Sequence, residues 1–466
     1  MNKKTLPSLI HLSGSSSLAI ILTFFVLNAL LIYLVYSKNF IFGSEPGKWH
    51  YSYFKTTTSI PLWIPMVVLL LLAMTVFIGS RLIFSHEKKT LFACFLIAVF
   101  NQILLRKIYR YPLGTIVQSD RANSFYSQAL LYSPAELLSQ FTYLAQNFPG
   151  HAKANMPGKI LLFQLFDLFT NSPQRMGYLV ILLSAIGGLL LYEICKKLFY
   201  DKQVALYAFI LYALIPCKLF FFPILNTVTP LFILLCLYLF LVYLEKKQLL
   251  FLWLLGVALF ILVFFEPSPL VIGITFIGIL LNAIGENRIS KRDFWALLVI
   301  PALGFLGVYI FLFVFYSFDL LQAFLYILKV AVDFNLNENR DYWIWVVENS
   351  KEFFYAAGIP VMIIFIYLTS LILSHWKTLK CNITRWSIEI VFVLSLLVTF
   401  CAVVFLGINR GETTRLWIYL AVFFQVPAAH FIAKIAKSKS LFFFVACSLV
   451  VQSIISLQRV GFIFPE

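Results

Sequence analysis

The chain has 466 residues, of which 61% are hydrophobic and only 12% charged, with 50 Phe. A soluble domain carries about 25% charged residues, so the composition excludes a soluble globular protein. Apolar runs of about twenty residues recur along the length and predict an all-α, polytopic helical membrane protein. The net charge of +16 reads as topogenic, because Lys and Arg hold short loops on the cytoplasmic side; membrane lipids are expected partners and nucleic acid is not.

Residues 1–14 carry Lys3 and Lys4 and read as cytoplasmic. Spans are predicted at 15–36 and 60–80, joined by a loop whose Trp49, Tyr51 and Tyr53 form an interfacial aromatic cluster. The first run has no small-residue cleavage pattern after it, so it reads as a span and not a signal peptide. A third span, 91–105, delivers the longest polar interruption in the chain, 106–159. The next segment, 157–172, is apolar but short and contains Gln164 and Asp167. A crossing there would put Lys196, Lys197 and Lys202 outside, so it reads as re-entrant or surface-lying.

Further spans are predicted at 177–195, 204–222, 229–244, 249–265, 268–284, 296–316, 355–373, 388–406, 416–433 and 441–457. Together they make about thirteen spans, with the N-terminus inside, the C-terminus outside and every strongly basic short turn on one side. The stretch between 316 and 355 reads as an outer loop of about forty residues. No CxxC occurs among the 7 Cys, which argues against a zinc site or a disulfide framework. The sequon Asn382-Ile383-Thr384 falls in a turn read as cytoplasmic, where it would not be used. Short loops point to a bacterial inner membrane.

Within the first loop, Ser133-Pro134-Ala135-Glu136 is a helix start, with Ser able to cap, Pro suited to the first helical position and Glu able to reach back. Leu137, Leu138, Phe141, Leu144, Ala145 and Phe148 follow at helical spacing, predicting one amphipathic helix that lies along the membrane surface and ends at Pro149-Gly150.

Polar residues that topology does not explain gather on the outer side. Asp120 either begins a helix or faces a ligand; Arg121, His151 and Lys153 are either solvated loop residues or substrate contacts. Glu266, in Phe265-Glu266-Pro267-Ser268-Pro269, is costly to place between spans, and either serves the site or caps the turn. Trp343 and Trp345 read as interface anchors. In Arg410-Gly411-Glu412-Thr413-Thr414-Arg415, a helix N-terminus and a guanidinium point at one place, which favours an anion such as phosphate; the other reading is an internal Glu412–Arg415 or Arg410–Glu412 pair.

The early acidic residue of Ser119-Asp120, the amphipathic surface helix and the closing turn His151 to Lys159 resemble the GT-C superfamily of integral membrane glycosyltransferases, to which protein O-mannosyltransferases and aminoarabinose transferases belong. The span and basic turn at 178–200, the Pro-broken pair 204–244 and Gly411-Glu412-Thr413-Thr414-Arg415-Leu416-Trp417 extend the resemblance over 91–435. Residues 1–90 then read as an additional N-terminal hairpin and 436–466 as a C-terminal span and tail. Many members have His-Pro-Pro where this chain has Asn155-Met156-Pro157-Gly158, and an Asp where it offers Asn226-Thr227.

The resemblance implies inverting transfer of a sugar from a polyprenyl-phosphate donor to a lipid, glycan or protein acceptor at the outer face. Asp120 would be the base, and Arg415, Arg410 and Lys153 would offset the charge of the departing phosphate. It implies no required cofactor; some members use a divalent cation, and no metal ligand is assigned. The rival readings are a flippase of lipid-linked sugars and a glycan polymerase or ligase, the latter using the run 335–352.

Overall fold

The computed structural model describes residues 14–56, 59–375 and 386–465, with side chains from residue 22 onward. Lys3, Lys4, Lys377, Lys380, Arg385 and the sequon at Asn382 lie outside the described residues. Among the described residues, eleven helices are long and apolar enough to cross a membrane. The number becomes twelve if Tyr342–Ala356 and Ile359–Ser374, which meet at 113°, are one broken span. The only sheet there is a hairpin of two-residue strands, Gly43–Ser44 and Trp49–His50. The chain is an all-α, multi-pass helical membrane protein.

The number differs from the expected thirteen for physical reasons. Leu249–Phe265 is helical as predicted but has only 17 residues, whereas the first predicted span is a 23-residue helix, Gly14–Tyr36. Leu320–Asn337, predicted as loop, is an 18-residue helix. Its Gln322, Lys329 and Asp333 lower the average hydropathy, while Leu320, Ala323 and Ile327 bury one face. Gly158–Asp167 has 10 residues, or about 15 Å, half the hydrocarbon thickness, so it is too short to cross.

Lys202–Phe221 is the central element, with its whole apolar window buried, and Pro173–Phe199 and Ile418–His430 pack against it. Lys291–Tyr316 lies at the edge, mostly exposed, and packs tightly on Leu249–Phe265. Gly256 permits that approach: a Cβ there would lie 2.0 Å from the Pro301 carbonyl oxygen. One continuous core runs from Phe24 to Ile463, so residues before 91 and after 435 share it with the segment between.

The two ends of the bundle differ. At one, ion pairs link successive basic turns: Lys196 and Lys202 to Glu87, Lys197 to Glu245, Lys247 to Asp293 and Lys434 to Asp201. At the other, the 43–54 hairpin, the 106–159 loop, the 225–229 and 266–268 turns, the 342–356 helix and the 407–415 loop converge. The segment 460–465 stitches this end together. Tyr53 bridges Val460 and Gly461 N–H donates to the Ser52 carbonyl at 2.9 Å. Phe462 stacks on Phe220 with centroids 4.4 Å apart. The Tyr109 hydroxyl both donates to and accepts from the Ile463 backbone at 2.8 Å, and Ser119 Oγ donates to the Pro465 carbonyl at 2.7 Å.

Candidate functional site

Lys159 and Glu266 form the deepest part of this end. Gly158 makes the approach possible, because a Cβ there would fall 2.5 Å from the Phe264 carbonyl oxygen. Lys159 is then fully buried, with Nζ 2.9 Å from Glu266 Oε2 and 2.8 Å from Asn155 Oδ1. Glu266 also accepts from Thr229 Oγ1 at 2.6 Å, Ser268 Oγ at 3.1 Å and Asn226 Nδ2 at 3.2 Å. Burial pulls the Lys159 amine below its ordinary pKa and Glu266 pulls it back up. A carboxylate with four donors has little capacity left, so Glu266 acts here as the lock between the first loop and the 226–229 turn. It also supplies a carboxylate beside Asn226.

Arg415 is the hub of the second group. One guanidinium nitrogen lies 3.1 Å from His151 Nε2 and another pairs with Glu412. Arg can only donate, so Nε2 accepts and the imidazole proton sits on Nδ1. Burial first, then Arg415, lowers the His151 pKa to about 3, opposed by Glu412 and by a hydrogen bond to the Arg121 backbone. His151 is neutral at physiological pH. Burial raises Glu412, but Arg415 and Arg340 outweigh it and hold the carboxylate below its ordinary range.

The anion at the start of the 413–416 turn is the protein's own. Glu352, wholly buried, accepts from Thr413 Oγ1 at 2.9 Å, Thr414 Oγ1 at 3.2 Å and Thr414 N–H at 3.4 Å. The expectation of a free helix N-terminus for phosphate is corrected accordingly, and the internal Glu412–Arg415 pair is present. Arg410 is also turned away: its Nη1 donates to the Arg340 carbonyl at 2.6 Å, while Arg340 donates to the Arg410 carbonyl. This reciprocal lock surrounds Gly411, whose φ is +97° and whose Cβ would meet Arg340 and Trp345 at 2.9 Å.

Asp120 stands at the exposed rim, in the turn between Leu113–Gln118 and Phe125–Leu131, and accepts from Ser127 Oγ. Its backbone approaches the second group: a Cβ on Gly150 would lie 3.7 Å from the Asp120 carbonyl oxygen, and the next residue, Arg121, bonds His151 through its backbone. Lys153 is half-buried two residues beyond His151 and forms no ion pair among the described residues. Arg415 therefore brings together His151 and Glu412, with the Arg121 backbone against His151. Asp120 and Lys153 belong to the same loop but make no side-chain hydrogen bond or ion pair to this group among the described residues, and Glu266 and Arg410 belong to the locks.

Two aromatic expectations change. Trp343 is exposed as an anchor would be, but Trp345 is fully buried, 6.1 Å from the Trp49 ring. Tyr51 is buried against Trp49 at 4.6 Å and against Phe221 and Phe462, so this hairpin is part of the site end and not an interfacial belt. The single amphipathic helix is also corrected. Ser133 caps as predicted, accepting from the Glu136 N–H at 3.3 Å, but the helix stops at Ser139 and continues as short turns. Leu137, Leu138, Phe141, Ala145 and Phe148 are buried with Phe318, Leu320 and Ile327. Packing against the 320–337 helix, which the sequence did not suggest, bends the chain off one axis.

Sequence reasoning places Asn349 and Glu352 in the outer run 335–352 of the rival reading, without singling them out for this site. The signal was present: Trp345, Asn349, Glu352, Phe353 and Ala356 fall on one buried helical stripe, with two polar residues inside it. Among the described residues no three His, Cys, Asp or Glu side chains gather as a metal-ligand set. No family profile and no curated protein matches the chain.

Proposed function

We propose that this protein is a glycosyltransferase that moves a sugar from a polyprenyl-phosphate donor to an acceptor at the extracytoplasmic membrane face. The observation that carries the reading is that the first loop, which bears Asp120 on its exposed rim, meets Arg415 through His151 at the end opposite the basic turns. The positive-inside tendency makes the basic end cytoplasmic. Cations close to the bilayer suit the phosphate of a lipid donor, and a water-facing carboxylate suits an acceptor arriving from solution.

In this reaction the acceptor oxygen attacks the anomeric carbon, and its proton passes to Asp120. The bond between that carbon and the phosphate oxygen breaks, and the lipid phosphate leaves unprotonated, its charge offset by Arg415 and Lys153. Ser127 Oγ orients the Asp120 carboxylate. Neutral His151 holds Arg415 without adding charge. The test is Asp120→Asn, purified in lipid and given a polyprenyl-phosphate-sugar donor. Transfer is expected to fall about 10²- to 10⁴-fold, and full activity removes Asp120 as the base.

A second reading is a glycan polymerase or ligase, favoured by one observation: the 342–356 helix contributes Asn349 and Glu352 to the same end. Transfer from a diphosphate-linked oligosaccharide, with none from the monophosphate-linked sugar, would select it.

A further inference from the structure

Behind Arg415 lies a layer of buried polar atoms that satisfy nothing in the protein. Among the described residues, Tyr51 Oη, Arg415 Nε, Trp345 Nε1, Trp417 Nε1 and Glu352 Oε1 have no hydrogen-bond partner. Each parent residue is more than nine-tenths buried. Native interiors rarely leave one such group orphaned, and a cluster of them calls for a polar occupant. The groups are neighbours. Tyr51 feels the charges of Glu412, Glu352 and Arg415; Trp345 and Arg340 meet across Gly411; Trp417 packs on Phe353, adjacent to Glu352.

Their chemistry narrows the occupant. Tyr51 stays protonated, because burial and then Glu412 and Glu352 push its pKa well above the ordinary value. The layer therefore offers several donors and one carboxyl group, Glu352, which burial raises to about 7 so that near neutral pH it both accepts and donates. An anion would be opposed by the ionised form of Glu352, and a cation by the donors around it. Hydroxyl groups, which donate and accept, satisfy either form. Trp49, half-buried, lies between Tyr51 and Trp345 at 4.6 and 6.1 Å and adds aromatic faces, the usual mix of an apolar wall and a few placed polar groups. Arg415 is already paired with Glu412, so its charge is met inside the protein.

We propose that the 43–54 hairpin completes a binding subsite for a neutral polyhydroxylated ring, a sugar, between Tyr51, Arg415 and Glu352. Its use in transfer rests on the glycosyltransferase reading; the binding itself does not. The side chains are closed over in this structure, so entry requires the hairpin or the first loop to move. The hairpin is held by strands of only two residues.

The experiment uses the full chain in nanodiscs and a panel of methyl pentopyranosides and hexopyranosides, with inorganic phosphate as the contrasting probe. Tryptophan fluorescence and thermal unfolding report binding. At least one glycoside is expected to bind, and Tyr51→Phe and Glu352→Gln are each expected to weaken it about tenfold. Tyr51→Phe removes only a hydroxyl, which keeps the test valid if Glu352→Gln fails to fold. Binding by no glycoside, equal affinity in Tyr51→Phe, or a response to phosphate alone each overturns the proposal; the first means that ordered water fills the layer. Glycoside binding without transfer would sink the transferase reading and leave the subsite. Transfer with glycoside binding unchanged in Tyr51→Phe would do the reverse.

Discussion

The two ends of the bundle use the same residue types to opposite effect. At the basic end Lys196 lies 2.6 Å from Glu87 and Lys202 lies 2.8 Å from it, all of them partly open to solvent. At the site end Lys159 lies 2.9 Å from Glu266, and the lysine is fully buried. The distances are alike, so geometry does not separate the pairs; the surrounding medium does. An open pair contributes about 0–1 kcal/mol and is screened by salt. A buried one repays its desolvation poorly, yet losing one partner costs about 3–5 kcal/mol because a lone charge remains inside. The open pairs therefore add little to stability, and the buried pair fixes position.

The largest test of that contrast is Lys159→Met. Thermal unfolding in lipid is expected to show a loss of about 3–5 kcal/mol, and Lys159→Met combined with Glu266→Gln is expected to recover much of it. A loss below 1 kcal/mol would place this pair in the same class as the open ones. Next is Thr413→Val, which removes one donor from buried Glu352 and is expected to cost about 1–3 kcal/mol by the same measurement.

His151 gives the pH dependence. Its folded pKa of about 3 lies below the unfolded value of about 6.5, so between these limits the unfolded chain binds more protons. The contribution of neutral His151 is complete above about pH 6.5 and is lost as pH falls toward 3, with a slope of at most about 1.4 kcal/mol per unit. Unfolding curves of the wild type and His151→Gln are expected to run parallel above pH 6.5 and converge below it; parallel curves throughout would contradict the buried neutral imidazole. The smallest effect belongs to the other end: Lys197→Ala, which breaks the pair with Glu245, is expected to change stability by less than about 1 kcal/mol and by nothing measurable at high salt.

Much of the fold was legible because its signals are local. Long apolar runs marked the spans, and Ser133-Pro134-Glu136 marked a helix start that the structure contains. The limits of the first loop followed from charge. What could not be read depends on partners far away in the chain. Trp49 and Tyr51 look the same whether they sit in an interfacial belt or fold under Trp345, nearly 300 residues later. Arg410 and Arg415 are five residues apart and equally basic, but only the contact with His151 distinguishes the hub from the lock. Glu352 was visible as a charge, and its meaning lay in Thr413 and Thr414.

The bonds from Tyr109 and Ser119 to Ile463 and Pro465 have a consequence for assembly. Domains and membrane segments emerge from the ribosome in order, so the stretch bearing Asp120 is made early, yet its last anchor is made more than 340 residues later. Until then the half-built molecule is in the membrane with its rim untied. A chaperone or a quality-control protease would find this stretch without its bonds to Ile463 and Pro465 until residues 460–465 have been made, so protection of the 106–120 segment from cleavage reports when that tie has formed.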